Sequence, residues 1–205
     1  QSVPCNVKVK PNRIFKVKRY NRYMTSTSDQ QLLQEFRNPI TKEAAFTMLV
    51  KKYQERIYWL IRRMVVSHED ANDVVQNTFI RVWNGLEKFR EDSQLYTWIY
   101  RIATNECLSF LEQQKRKSLA SLSEKDQERA EQVKADSHFD AQKLEWKLEL
   151  AIQQLPERQR MVFILRYYQE MPYEQMSKLL ETSEGALKAS YHHAAKKIEQ
   201  YILNH

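Results

Sequence analysis

The 205-residue chain carries 33 Lys and Arg against 26 Asp and Glu, a formal net charge of +7, with 42% hydrophobic and 29% charged residues. This balance excludes an intrinsically disordered chain, which lacks the apolar surface to offset the entropy of ordering. Two glycines and five prolines are too few turn-formers for a sheet-rich fold, and no apolar run approaches the ~20 residues of a membrane span.

The excess charge is local. Lys8, Lys10, Arg13, Lys16, Lys18, Arg19 and Arg22 fall in residues 1–24 with no acid among them, which leaves the rest of the chain formally neutral. Any nucleic-acid contact in the body must therefore come from clusters rather than from overall charge. The tail alternates Lys with Val and has no continuous apolar stretch, so it is not read as a secretory signal. Met24 precedes Thr-Ser-Thr-Ser-Asp, and residues 1–23 read equally as a basic arm or as an extension ahead of the natural start. Cys5 and Cys107 give no disulfide framework, and a reducing, cytoplasmic setting fits.

A first helix is expected from Asp29, its N-cap candidate, to about Arg37, where Asn38-Pro39 stops it. Phe46, Leu49, Val50, Tyr53, Ile57, Leu60, Ile61, Met64 and Val65 then recur at three- and four-residue steps, the stripe of a long amphipathic helix. After Ser67-His68-Glu69-Asp70 a third helix sets Val74, Val75, Thr78, Phe79, Val82, Trp83 and Leu86 on one face. Asp70, Asp73, Gln76, Asn77 and Arg81 lie on the other, acidic first, as a helix dipole prefers. A fourth stripe runs through Trp98, Ile99, Ile102, Ala103, Cys107, Phe110 and Leu111, with Tyr96, Tyr100, Arg101, Thr104 and Asn105 largely off it.

Residues 115–137, opening on Lys115-Arg116-Lys117, are dense in Ser, Gln, Glu, Lys and Asp, which is the composition of a linker. It separates a helical unit over 25–114 from a second over 138–205, behind a basic tail at 1–24. In the second unit Ala141, Leu144, Leu148, Ala151, Ile152 and Leu155 keep helical spacing up to Pro156, which suits a helix start. Met161, Ile164, Leu165 and Tyr168 follow, then a short helix from Pro172 with Met176, Leu179 and Leu180. Glu181-Thr182 turns the chain and Ser183 caps a last helix burying Leu187, Tyr191, Ala194, Ile198 and Ile202. A short helix, a tight turn and a longer helix make a helix-turn-helix candidate. The fold class expected is all-α, two small helical domains on a flexible polar linker.

Three strings of residues in order, DANDVVQNTFIRVW from Asp70 to Trp83, DSQLYTWIYRIATN from Asp92 to Asn105, and LPERQRMVF from Leu155 to Phe163 followed by YEQMS from Tyr173 to Ser177, resemble extracytoplasmic-function (ECF) sigma factors of bacterial RNA polymerase, in the sigma-70 family. The resemblance covers residues 29–203 and implies a non-enzymatic factor that joins core polymerase and directs promoter-specific initiation. For the third helix it implies docking onto the clamp helices of the largest polymerase subunit through Asp70, Asp73, Gln76, Asn77 and Arg81. For the fourth helix and the connection before it, it implies opening of the −10 element. There Gly85, Phe89, Ile102, Ala103, Asn105 and Ser109 match a pocket for a flipped base, and Arg90, Arg101, Lys115, Arg116 and Lys117 are placed to meet phosphates.

For the last helix it implies entry into the major groove of the −35 element. Ser183, Glu184, Lys188, Ala189, Ser190, His192, His193, Lys196 and Lys197 are the candidates, and Ala186-Leu-Lys-Ala-Ser190 replaces the family's common Thr-Val-Lys-Ser-Arg. His193 and Ala195 stand where arginines are frequent, so phosphate anchoring should be weaker than in relatives. Implied partners are core polymerase, through its clamp helices and flap, promoter DNA and an anti-sigma factor, with no small-molecule substrate and no cofactor.

Other classes fit less well. Adjacent residues on a helix point ~100° apart, so His192 and His193 do not share a metal easily, and His68, His138 and His205 lack ligand-spaced partners. No phosphate loop and no nucleophile with a spaced base occurs. The alternative is a helix-turn-helix regulator that binds operator DNA without joining the polymerase, but it has no need of the polar face from Asp73 to Arg81. A purely protein-binding adaptor would leave Lys188, Lys196 and Lys197 without a role.

Overall fold

The computed structural model describes residues 28–120 and 143–204, with side chains for 28–117 and 147–204. Among these residues the chain forms eight helices and no strand: α1 (Asp29–Arg37), α2 (Lys42–Met64), α3 (His68–Leu86), α4 (Leu95–Ala120), α5 (Lys143–Gln153), α6 (Glu157–Tyr167), α7 (Tyr173–Leu180) and α8 (Glu184–Asn204). The expected tail at 1–24 lies outside the described residues, and so does most of the expected linker. Its first residues are an exception, because α4 continues through Lys115–Lys117 to Ala120. Lys, Arg and Gln are good helix formers, and a polar composition does not by itself stop a helix.

The first group is α1 to α4. Ser28, one residue ahead of the expected cap, accepts from Gln31 N at 3.1 Å and starts α1. Asp29 is thereby released to accept from Lys52 Nζ and Tyr53 Oη of α2, at 2.7 and 2.8 Å. Pro39 bars helical backbone at Asn38, which is extended at φ −88°, ψ 120°. The long α2 buries the predicted stripe, with Ile57, Leu60, Ile61 and Met64 fully enclosed. Ser67 caps α3, accepting from Asp70 N.

Trp83 of α3 stands edge-on to Phe36 of α1 and Phe46 of α2, with ring centroids 5.3 and 4.9 Å away, so one indole ties three helices together. Lys42 Nζ lies 5.0 Å from that indole. Gly85 permits the next contact: a Cβ there would stand 3.0 Å from the Trp98 ring of α4. Phe89 packs on the same indole at 5.1 Å. Two residues expected off the α4 stripe, Tyr100 and Thr104, are fully buried. Thr104 returns its hydroxyl to the Tyr100 carbonyl, and the Tyr100 hydroxyl donates to Gln169 in the second half of the chain at 2.9 Å, a contact that a single-helix pattern does not register.

In the second group α8 is the hub, packing on α5, α6 and α7. Leu187, Ala194 and Ile198 form its buried face, against Ile152, Leu155, Met161, Ile164, Leu165, Met176 and Leu179. Ala141 is outside the described residues, and so is the side chain of Leu144. The two groups meet where α6 packs on α2 and α7 on α4.

Phe36 is 1% exposed and touches both Phe46 and Trp83. Phe36→Ala should cost roughly 3–5 kcal/mol, read as a lower midpoint in urea unfolding. A change under ~1 kcal/mol would show that the aromatic junction contributes little.

Candidate nucleic-acid and polymerase interface

On α3, Asp73, Gln76, Asn77 and Arg81 are exposed and fall at three- and four-residue steps, one continuous polar stripe. Arg81 Nε is held by Glu106 of α4 at 2.6 Å. Asp70 departs from the stripe: it is half-buried and accepts from Gln114 of α4 at 3.0 Å, joining the start of α3 to α4. Sequence reading passed over Ile80, which is 36% exposed on the same face. Its three-residue step from Asn77 already places it among the polar positions.

Around the start of α4 the predicted residues divide. Arg90, Asn105, Ser109, Lys115, Arg116 and Lys117 are exposed, and Gly85, Arg101 and Ile102 are half-buried. Phe89 is 7% exposed and Ala103 0%: Ala103 faces inward from α4, and Phe89 packs on Trp98. Gly85 serves the approach of Trp98. Lys115 pairs with Glu157 of α6 at 3.0 Å, Arg116 with Glu112 at 3.2 Å, and Arg101 donates to the Lys178 carbonyl of α7 at 2.6 Å.

The turn into α8 is built on Glu181 in left-handed backbone, φ 52° and ψ 41°, its N–H donating to the Ser177 carbonyl. Ser183 then accepts from Ala186 N at 3.3 Å and caps α8. From there Gly185, Ala186, Ala189, His192, His193, Lys196 and Lys197 lie along one exposed face. Glu184 and Ser190 are half-buried at its edge, while Ser183 and Lys188 are exposed. Lys188 pairs with Glu184 at 3.4 Å and lies 5.6 Å from the Tyr173 ring, and Lys197 donates to Gln159 at 3.0 Å. The His192 and His193 rings are 6.0 Å apart, and no group of three metal-ligating side chains occurs among the described residues.

On another side of α8 runs an apolar groove of about 380 Å³, lined by Leu148, Phe163, Tyr167, Tyr191 and Ile202 with Leu203 at its rim. Tyr167 and Leu203 are exposed, and Phe163 stacks between Tyr167 and Tyr191. The sequence hid this feature, since each of its residues fits a helix core.

A family model for sigma-70 region 2 matches residues 49–117, and one for sigma-70 region 4 matches residues 145–198. The RNA polymerase sigma-H factor of Pseudomonas aeruginosa is 31% identical over 187 residues, 87% of this chain and 96% of that protein. The chain belongs to the ECF sigma factors of the sigma-70 family. Another relative, the ECF RNA polymerase sigma-E factor of Escherichia coli K12, is 31% identical over 183 residues, 85% of this chain and 94% of that protein.

Among solved structures, CnrH in complex with the cytosolic domain of CnrY matches with a TM-score of 0.60 at 21% identity, over 84% of this chain and 95% of that one. The sigma factor RpoE with the anti-sigma factor NepR from Bartonella quintana matches at 0.58 and 18%, over 77% and 96%. These two establish the shared fold. The protein is thus a DNA-binding sigma factor that directs transcription initiation, with its region 2 on α2 to α4 and its region 4 on α5 to α8. No helix among the described residues is long and apolar enough to cross a membrane.

A non-glycine residue in left-handed backbone costs roughly 1–2 kcal/mol. Glu181→Gly should relieve part of that and raise stability by up to ~1 kcal/mol, measured as an upward shift in Tm. A lower Tm would mean that the Glu181 side chain contributes more than its backbone costs.

Proposed function

We propose that this sigma factor acts in the cytoplasm without chemistry of its own, docking on core polymerase through the α3 stripe, opening the −10 element with α4 and reading the −35 element with α8. The observation that carries this reading is that two exposed helical faces of different character, one polar on α3 and one basic on α8, lie on separate helical groups of one chain. Each group matches a different sigma region. Asp73, Gln76, Asn77 and Arg81 offer donors and acceptors of both signs, suited to a polar protein surface. On α4, Asn105 and Ser109 supply edge hydrogen bonds to an extruded base, and Arg90, Arg101, Lys115, Arg116 and Lys117 supply phosphate contacts.

On α8 the early residues, Ser183 to Ser190, face base edges, and His192, His193, Lys196 and Lys197 face the backbone. The apolar groove beside them suits the apolar face of a partner helix. An anti-sigma helix seated there would compete with the polymerase flap, and the fold shared with the sigma factor RpoE, solved in complex with the anti-sigma factor NepR, supports this.

Purified core polymerase supplied with a genomic promoter library should yield a discrete transcript set only when this protein is added; an unchanged transcript set would overturn the reading. Asp73→Ala with Gln76→Ala should weaken core binding at least tenfold with the helical content intact, and unaltered core affinity would remove α3 as the docking face. Lys196→Ala with Lys197→Ala should flatten the slope of log affinity against log salt on duplex −35 DNA by about 1.8, at about 0.9 per phosphate contact. An equal slope would take both lysines off the backbone.

A further inference from the structure

The connection from α3 to α4, residues 87–94, contains no glycine and a single apolar residue, Phe89. A surface loop of that composition has no core of its own to fix its path. Three alternate residues fix it instead. Glu87, at the end of α3, accepts from Lys42 Nζ of α2. Phe89 is buried against the Trp98 ring, with 5.1 Å between centroids. Glu91 Oε1 accepts from Arg37 Nη2 of α1 at 2.7 Å. Between them Lys88, Arg90 and Asp92 are exposed, so the connection is a ribbon pinned through every second residue.

The backbone shows that the pinning matters. Glu91 is in left-handed backbone, φ 61°, a conformation that a residue with a β-carbon keeps only where its surroundings impose it. Glycine would take it without strain; what glutamate adds is the carboxylate that reaches Arg37. Lys42 is itself fixed, with Nζ 5.1 Å from the Phe36 ring and 5.0 Å from the Trp83 ring, so the aromatic junction holds the cation that holds Glu87. The Glu91 and Glu87 side chains are 43% and 63% exposed, and ion pairs so open to water contribute little to global stability. Their effect falls on the local path of the chain and on its charge, since two carboxylates beside Lys88 and Arg90 are each paired with a cation.

We infer that Arg37 and Lys42 are positioning residues for strand capture. From α1 and α2 they hold the α3–α4 connection in the path that presents Lys88 and Arg90 to the non-template strand, and they neutralise the two carboxylates that flank those cations. This rests on the reading of the connection and α4 as the −10 face given above. Both residues lie ahead of the segment matched to region 2, which begins at residue 49, so the role extends that face to a part of the chain the match does not reach.

The readout is binding of a labelled single strand, the non-template −10 segment of a promoter selected in the transcription experiment, to the full chain in complex with core polymerase. Arg37→Ala should weaken that binding at least threefold, with core affinity, affinity for duplex −35 DNA and the urea midpoint all at wild-type values. Lys42→Met, which keeps an unbranched stem beside Phe36 and Trp83, should do the same through Glu87. Arg37→Lys, which keeps a cation within reach of Glu91, should recover most of the loss. In a Glu91→Gly background, where the left-handed backbone survives without the carboxylate, Arg37→Ala should change nothing further, because such non-additivity reports action through Glu91.

Undiminished strand binding by either single variant would remove that residue from the role, and an equal loss from Arg37→Ala with and without Glu91 would overturn the route through the connection. A lower urea midpoint with weaker core binding would overturn it too, making the pairs general supports of the fold. Arg90→Ala separates the inference from the reading beneath it. If that variant binds the strand as well as wild type, the connection does not face the strand and the positioning role falls with it. If it binds less well while Arg37→Ala and Lys42→Met bind normally, the positioning role alone is wrong.

Discussion

The arrangement of this protein depends on how one long helix ends. The 23-residue α2 stops inside the structure, and a buried helix end requires partners for its last carbonyls. Val65 N–H takes the Ile61 carbonyl, and Arg62 turns back onto the carbonyls of Val65 and Val66. The carbonyls of Arg63 and Met64 are left to Gln153 and Arg160, about ninety residues away in sequence. The guanidinium of Arg160 also takes the Gln153 and Leu155 carbonyls at the end of α5, so one planar cation with five donors closes two helices in different sigma regions. The partial negative charge at a helix C-terminus favours a cation there, and a lysine with a single charged nitrogen could not spread over the same acceptors.

That economy shapes what each region can present. Because region 4 caps α2, its α7 is set against α4, and two of the cations assigned to phosphate contact are already occupied. The α3 stripe faces away from this junction. The bonds at the junction run largely to carbonyl and amide acceptors, with charged donors at Arg160 and Arg101.

Much of this was readable in the residues. The three- and four-step stripes of α2, α3 and α8, the stop at Asn38-Pro39, the Ser183 cap and the turn at Glu181 all follow from local chemistry, and the structure has them. What failed did so for identifiable reasons. Asp29 and Ser28 are both good caps, and the choice was made by Lys52 and Tyr53, which draw Asp29 away. Tyr100 and Thr104 read as surface because a periodic pattern records burial against an element's own neighbours, whereas Tyr100 is covered in part from region 4. Ala103 is buried, as its position on the apolar stripe of α4 indicates. The groove beside α8 was illegible because aromatic residues shared between core and surface carry no mark of which role they play. Gln153, Gln169 and Arg160 sit at helix ends or just beyond them, where no periodicity exists to single them out.

The departures at α8 also acquire a physical meaning. With a formally neutral body, duplex affinity has to come from a few side chains, and here Lys188 pairs with Glu184 while positions 193 and 195 hold histidine and alanine. Lysine and histidine hold phosphate as points of charge and lack the bidentate fork of arginine. A recognition helix with fewer forked anchors depends more on being delivered to its site by the rest of the assembly. If α3 docks and α8 reads duplex as proposed, a region 4 joined covalently to a docked region 2 meets its element at the effective concentration set by the connection instead of from bulk solution.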